Sequence, residues 1–395
     1  MMFAGISLNV LVLGLVSFLT DISSEMIYPL LPLFLTRVLG AGPAFLGVIE
    51  GVAESTAALL KLFSGIVSDR VRRRKGLVLA GYSLSSIARP LVAAATSPVA
   101  VLAIRFADRV GKGLRTSPRD ALIADSTDPT ARGKAYGFHR AMDNGGALVG
   151  PLAATALMTL FAEDLRTVFW LAAIPGFLAV LLIVTSVRET ARQQASNGSF
   201  LRYVPRGRLR RYLIVLFIFT LGNSSDAFLL LRAGELGVSP VKIPLLWAFF
   251  QAVRMLFSTP FGALSDRVGR RRLIIAGWSV YALSYAGFAL ATSELACWLL
   301  FAVYGLYYSM TEGVEKAFVA DMVPATERGG SFGWYNFAVG VGALPASLFF
   351  GAIWQQAGRL AAFGFGAAMA ALAVLLLLTM VGTSASGAGN AHSSP

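Results

Sequence analysis

Between residues 98 and 120 an otherwise apolar stretch carries Arg105, Asp108, Arg109, Lys112, Arg115, Arg119 and Asp120. Successive helical residues advance by ~100°, so with Arg105 at zero Asp108 falls near ~300°, Arg109 near ~40°, Lys112 near ~340° and Arg115 near ~280°. Arg119 and Asp120 fall in the same sector, and the opposite face carries no charge. A charge at the centre of a bilayer costs roughly 2.5–3.5 kcal/mol on insertion scales, so this face must look into a protein interior or an aqueous cavity. At ~1.5 Å per residue from an edge near 98, Arg105, Asp108 and Arg109 lie about 10–17 Å deep and Lys112 about 21 Å. Arg115 to Asp120 approach the far surface, where a solvated helix end also accounts for them. For the deeper four, two readings stay open. One is an anion-attracting site. The other is an ion-pair ladder, Arg105–Asp108 and Asp108–Lys112, which still leaves a positive surplus.

The acids extend this set. Asp21 and Glu25 are four residues apart, as are Glu50 and Glu54, with Lys61 further on. Asp143 follows His139 and Arg140, Asp226 stands alone, and Glu312 precedes Glu315 and Lys316. Carboxylates inside apolar segments are functional-site hypotheses by default. Their use would be reversible protonation that alternates with substrate binding, and for each the alternative is structural pairing with Arg or Lys. Glu25 and Asp226 both follow a Ser-Ser pair, and together they could hold a cationic substrate. Asp143 lies about 14 Å from the cytoplasmic edge, with Arg140 and His139 one turn before it. It is the expected proton carrier, ahead of Glu25 and Asp226. His139 by itself reads as a packing or hydrogen-bonding residue.

Other chemistry is excluded by what the chain lacks. One cysteine, Cys297, and two histidines, His139 and His392, leave no internal disulfide and no Cys- or His-rich metal centre. There is no HExxH, no nucleophile–base pair at usable spacing and no GxxxxGK[ST] loop. The expectation is therefore no enzyme, no cofactor, and transport driven by a gradient or passive.

The elements that position these groups follow from composition. The chain has 395 residues, 56% hydrophobic and 14% charged, with a mean hydropathy of +0.68. Soluble proteins carry about 25% charge, so lipid is the expected solvent. Apolar stretches fall at about 8–37, 43–68, 76–96, 98–120, 134–160, 167–187, 212–233, 240–265, 273–292, 295–320, 330–356 and 360–382. Their continuity excludes a membrane β-barrel, whose signal is ~10-residue alternation. The apolar N-terminus lacks a basic leader region and an Ala-x-Ala site, so it reads as an uncleaved first span. With both termini in the cytoplasm, 19 Lys and Arg fall in cytoplasmic loops against four in outer loops, Arg37, Arg166, Lys242 and Arg359. This positive-inside bias explains the net charge of +13 without nucleic acid. The cytoplasmic membrane, probed from one side by a basic loop at 188–211, is the expected location.

The halves repeat. Residues 121–148 align without gaps to 317–344 with ten identities, among them Asp125/Asp321 and Gly146/Gly342. The sequence GIVSDRV at 65–71 matches GALSDRV at 262–268. These loops, Gly65-x-x-x-Asp69-Arg70 and Gly262-x-x-x-Asp266-Arg267, occupy equivalent places in both halves. In them the chain resembles the major facilitator superfamily, whose signature loop takes this form. Gly146-x-x-x-Gly150-Pro151 resembles, with Ala153 and Ala154 in place of glycines, the fifth-helix motif of the superfamily's drug–proton antiporters. Arg105 matches a fourth-helix arginine of the family, but Asp108 and Arg109 replace the Gln and Gly that follow it there.

The resemblance implies an all-α integral membrane protein of twelve transmembrane helices in two pseudo-symmetric six-helix bundles. The first, fourth, seventh and tenth helices would line a central cavity. The bounds are 1–187 for the N-terminal bundle, 188–211 for the linker, 212–382 for the C-terminal bundle and 383–395 for a disordered tail. The Asp-Arg loops would act as gating latches, a carboxylate pairing with Arg and with a neighbouring helix N-terminus. The expected function is proton-coupled export of a small polar or anionic molecule by a monomer in the lipid bilayer. An organic-anion uptake or diffusion permease and a non-transporting sensor are the rivals.

Overall fold

The computed structural model describes residues 7–70, 74–128, 132–189, 204–324 and 327–382. Among them there is no strand. The helices are α1 (Leu8–Val38), α2 (Pro43–Arg70), α3 (Arg74–Ala94), α4 (Pro98–Asp125), α5 (Arg132–Leu160), α6 (Leu165–Ser186), α7 (Gly207–Glu235), α8 (Lys242–Val268), α9 (Arg270–Leu290) and α10 (Glu294–Asp321). A last continuous run, Arg328–Met380, is two spans, because Gly358 at φ 82° and ψ 171° breaks it. We call these α11 (328–357) and α12 (359–380). The expected spans are thus found, within a few residues of the expected bounds. Seven helical runs are long and apolar enough to cross a membrane by composition alone. The charge-bearing α4, α5, α8 and α10 are not among them, which is the cost of carrying the site. Most of the linker (190–203) and the tail (383–395) lie outside the described residues.

Local chemistry sets the ends. Ser97 and Ser293 cap α4 and α10, each accepting from the backbone N–H three residues on. They are separated by the same interval as Asp125 and Asp321. Asp164 caps α6 through the N–H of Arg166 and accepts from the Thr167 hydroxyl. Its carboxyl, outside the spans, is held below its usual range chiefly by that hydroxyl.

Two helices are irregular where the site lies. α1 tightens to a 3₁₀ turn at Tyr28–Leu30 and widens to a π turn at Phe34–Val38. α7 is unwound between Gly222 and Ala227. Close approaches use glycine. A Cβ at Gly146 would meet the Phe18 carbonyl at 2.5 Å, and one at Gly47 would meet the Ser347 carbonyl at 2.3 Å. These bring α5 onto α1 within the N-terminal half, and α2 onto α11 between the halves. We call the face carrying the Arg- and Lys-rich connections the basic face, and the other the opposite face.

Candidate functional site

The charges of α4 are satisfied sideways rather than along the helix. Arg105 donates from Nη2 to Glu50 Oε1 at 2.8 Å, and its Nη1 lies 3.8 Å from Asp108 Oδ2. Asp108, 2% exposed, accepts from Arg89 Nε at 2.9 Å. Arg89 Nη1 also donates to the Thr20 carbonyl at 2.9 Å, so one guanidinium ties α3 to α4 and α1. Arg109 Nη2 lies 3.2 Å from Glu54 Oε1. Arg115 donates to Ser85 and stacks over the Tyr82 ring at 4.5 Å.

The ladder is therefore corrected in one rung. Asp108–Lys112 does not form, because Arg89 reaches the acid from α3. The expected positive surplus shrinks, because α2 supplies Glu50 and Glu54. Lys112 is exposed, and its ammonium makes no ion pair or hydrogen bond among the described residues.

The remaining acids meet neutral donors. Glu25 Oε2 accepts from Trp247 Nε1 of the other half at 2.7 Å. Asp226 accepts from Tyr304 at 2.6 Å and from Tyr308 at 3.1 Å. Glu315 accepts from Trp278 at 2.9 Å and Tyr335 at 2.8 Å. Asp143 accepts from the Ser17 hydroxyl, and its Oδ2 lies 3.5 Å from His139 Nδ1. Asp21 makes no hydrogen bond or ion pair through its carboxylate among the described residues, and its charged neighbours are Asp143, Lys112, Glu25 and Arg115. Glu312 differs, pairing with Arg254 at 2.5 Å. The expected Arg140–Asp143 contact does not form. Arg140 is exposed, and the turn of α5 sends its side chain away while His139 and Ser17 reach the acid.

Gly146 lies against Phe18 and Asp21, and Gly150 against Ile22 and Glu25, so the small residues seat the acidic face of α1 on α5. The helix continues through Pro151. The gating loops are only partly visible. The side chains of Gly65, Asp69 and Arg70 lie outside the described residues. Asp266 pairs with Arg270 at 3.4 Å, and Arg270 pairs also with Asp321 at 3.0 Å, while Gly262 is half-buried and Arg267 is exposed. Arg74–Asp125 is the matching pair in the first half. These pairs join helix ends within one half, the Asp266 carboxylate at the end of α8 meeting Arg270 at the N-terminus of α9.

Sequence reasoning missed Arg89, Trp247, Ser225, Arg254 and the tyrosines of α10, and left Glu50 outside the central set. Arg89 and Arg254 carried an available signal, a charge inside an apolar span. The uncharged donors carried none.

Comparison with known proteins agrees with this architecture. The family model described as Major Facilitator Superfamily matches residues 13–231 and again 212–394, once for each half. An uncharacterized MFS-type transporter of Methanocaldococcus jannaschii is 35% identical over 385 residues, covering 94% of this chain and 95% of the relative. The multidrug resistance protein MdtH of Edwardsiella ictaluri is 23% identical, covering 80% and 79%. Among solved structures, the nucleoside transporter NupG superposes with a TM-score of 0.74 at 15% identity, covering 94% of this chain and 98% of that one. A bacterial homolog of the human lysosomal transporter Spinster gives 0.72 at 17%, covering 94% of each. With both halves matched by the family model and a relative alike along nearly its whole length, this chain belongs to the Major Facilitator Superfamily of membrane transporters.

Proposed function

We propose that the protein is a proton-coupled secondary exporter of a small polar or anionic molecule. It works as a monomer in the cytoplasmic membrane, with its basic face and both termini in the cytoplasm. The two halves rock about the central site to expose it to one side at a time. The observation that carries the coupling is the state of the acids. Asp21, Glu25, Asp143, Asp226 and Glu315 have neutral partners or none. Each can take up a proton without breaking an Arg or Lys ion pair. Asp143, two hydrogen bonds from Arg119 through Ser17, remains the leading carrier. Export is supported by the seated Gly146–Pro151 motif and by the distant likeness to MdtH.

The test uses everted membrane vesicles acidified inside by respiration. A panel of small organic acids, amines and drugs is added while an acridine dye reports the pH gradient. A solute that dissipates the gradient with the wild-type protein but not with Asp143→Asn supports the reading. Dissipation that is equal in the two proteins removes Asp143 from it. An organic-anion permease is the second reading, favoured by Lys61, Lys112 and Arg140, which are exposed and make no ion pair among the described residues. It predicts uptake of an organic anion unaffected by collapse of the gradient.

A further inference from the structure

Two hydrogen bonds between the halves are related by the internal repeat. The match of 65–71 to 262–268 places Glu50 of α2 at the position of Trp247 of α8. Glu50 Oε2 accepts from Ser225 in the unwound part of α7, at 3.2 Å. Trp247 donates to Glu25 in α1, at 2.7 Å. Ser225 and Glu25 lie in the two Ser-Ser-acid segments that also correspond to each other. Each half thus sends one side chain from its second helix to the irregular first helix of the other half.

Both tethers end in the candidate site. Glu50 is fully buried and is the carboxylate that Arg105 holds. Glu25 neighbours Lys112 and Arg109. Tyr28 sits between them, its ring 5.3 Å from Trp247 and under the Arg105 guanidinium at 5.7 Å. Around them, from mid-depth to the opposite face, the halves are also joined by Ser55 to the Gly340 carbonyl and by Gln355 to the Ala44 N–H. A cavity of about 350 Å³ lies between the halves at the opposite face, lined by Thr36, Arg37, Gly234 and Glu235 among others.

We propose that Glu50–Ser225 and Trp247–Glu25 form a reciprocal latch that holds the opposite face closed, with Glu50 and Trp247 as positioning residues. Because the latch shares Glu50 with Arg105 and Glu25 with the acidic group around Lys112, a change of charge or ligand at the site is felt directly by the closure. This rests on the rocking motion in the function proposed above, and not on the solute or the coupling ion.

The test removes each tether without touching an acid: Ser225→Ala, Trp247→Phe, and both together. In a Cys297→Ser background, Thr36→Cys reports the opposite face. Lys61→Cys, whose lysine senses Lys316 of the other half, reports the basic face. Labelling by a charged maleimide is timed on the purified protein. Each tether variant should speed labelling at 36 by about two- to tenfold, the range of one net hydrogen bond. The double variant should exceed either single one. Labelling at 61 should slow in step, because closing one face accompanies opening the other. Unchanged rates at both sites overturn the latch. Faster labelling at 36 with no change at 61 overturns it too, because that is local loosening. Gly47→Leu, which forces α2 from the Ser347 backbone, separates this failure from failure of the rocking motion. If the wedge moves both rates and the tether variants move neither, the halves rock and the latch is wrong. If the wedge also moves neither, the rocking motion falls as well.

Discussion

At the scale of single residues, the site divides charges that sequence spacing alone grouped together. Arg105, Arg109 and Lys112 share a helix face, yet Arg105 and Arg109 are buried against Glu50 and Glu54 while Lys112 is exposed. Desolvated guanidiniums persist because carboxylates meet them, and a lysine with no such partner must keep contact with water. Cysteine substitutions in the Cys297→Ser background should therefore label unequally. Lys112→Cys should react with a charged thiol reagent at least about tenfold faster than Arg105→Cys, as burial limits reagent access. Equal rates would mean that the Glu50–Arg105 pair is open to water most of the time. The face itself was legible in the sequence, since seven charges at helical spacing in an apolar stretch admit few other readings. The pairing was not, because partners on α2 and α3 depend on how three helices pack, and spacing along one helix carries no information about that.

At the scale of elements, the span pattern was legible for a different reason. Lipid forces every backbone N–H and C=O into helical hydrogen bonds, so apolar length translates almost directly into helices. The irregular parts of α1 and α7 were not legible. Ser224, Ser225 and Asp226 interrupt α7 by offering polar side chains to Tyr285, to Glu50 of the other half and to Tyr304 and Tyr308, and that cannot be read before these helices are docked. The glycines of α5 show how fine the fit is. A Cβ at Gly146 would come within 2.5 Å of the Phe18 carbonyl and 2.9 Å of Asp21 Cβ, whereas one at Gly145 would reach only an ordinary 3.4 Å from the Phe18 ring. Gly146→Ala should cost about 1–3 kcal/mol, the range for overpacking, and should lower the melting temperature in detergent. Gly145→Ala should leave it unchanged. The reverse order would show that α1 does not sit on α5 in this register.

At the scale of the whole molecule, the two halves share a fold but not a chemistry. Under the interval that relates Asp125 to Asp321, the N-terminal residues Arg89, Asp108 and Lys112 correspond to Tyr285, Tyr304 and Tyr308. Where α3 and α4 are joined by a buried ion pair, α9 and α10 are joined by rings, Tyr285 to Tyr304 at 6.2 Å and Tyr281 to Tyr307 at 4.9 Å. The same helix pair can evidently be closed by apolar and phenolic contact. A buried ion pair is in general no more stabilising than well-packed apolar groups of similar volume, whereas removing one partner leaves a buried charge and costs about 3–5 kcal/mol. If the Arg89–Asp108 pair is kept for transport, stability and activity should separate on substitution. Arg89→Tyr alone should destabilise the protein strongly, because Asp108 keeps its charge and loses its nearest partner. Arg89→Tyr with Asp108→Tyr, which copies the C-terminal pairing, should recover most of the melting temperature. The same double variant should reduce solute-dependent collapse of the pH gradient at least about tenfold, as expected when a preorganised charge is removed from a site. A double variant that transports at the wild-type rate would show instead that the ionic pairing serves only to hold α3 against α4, and that the asymmetry between the halves has no part in the work of the transporter.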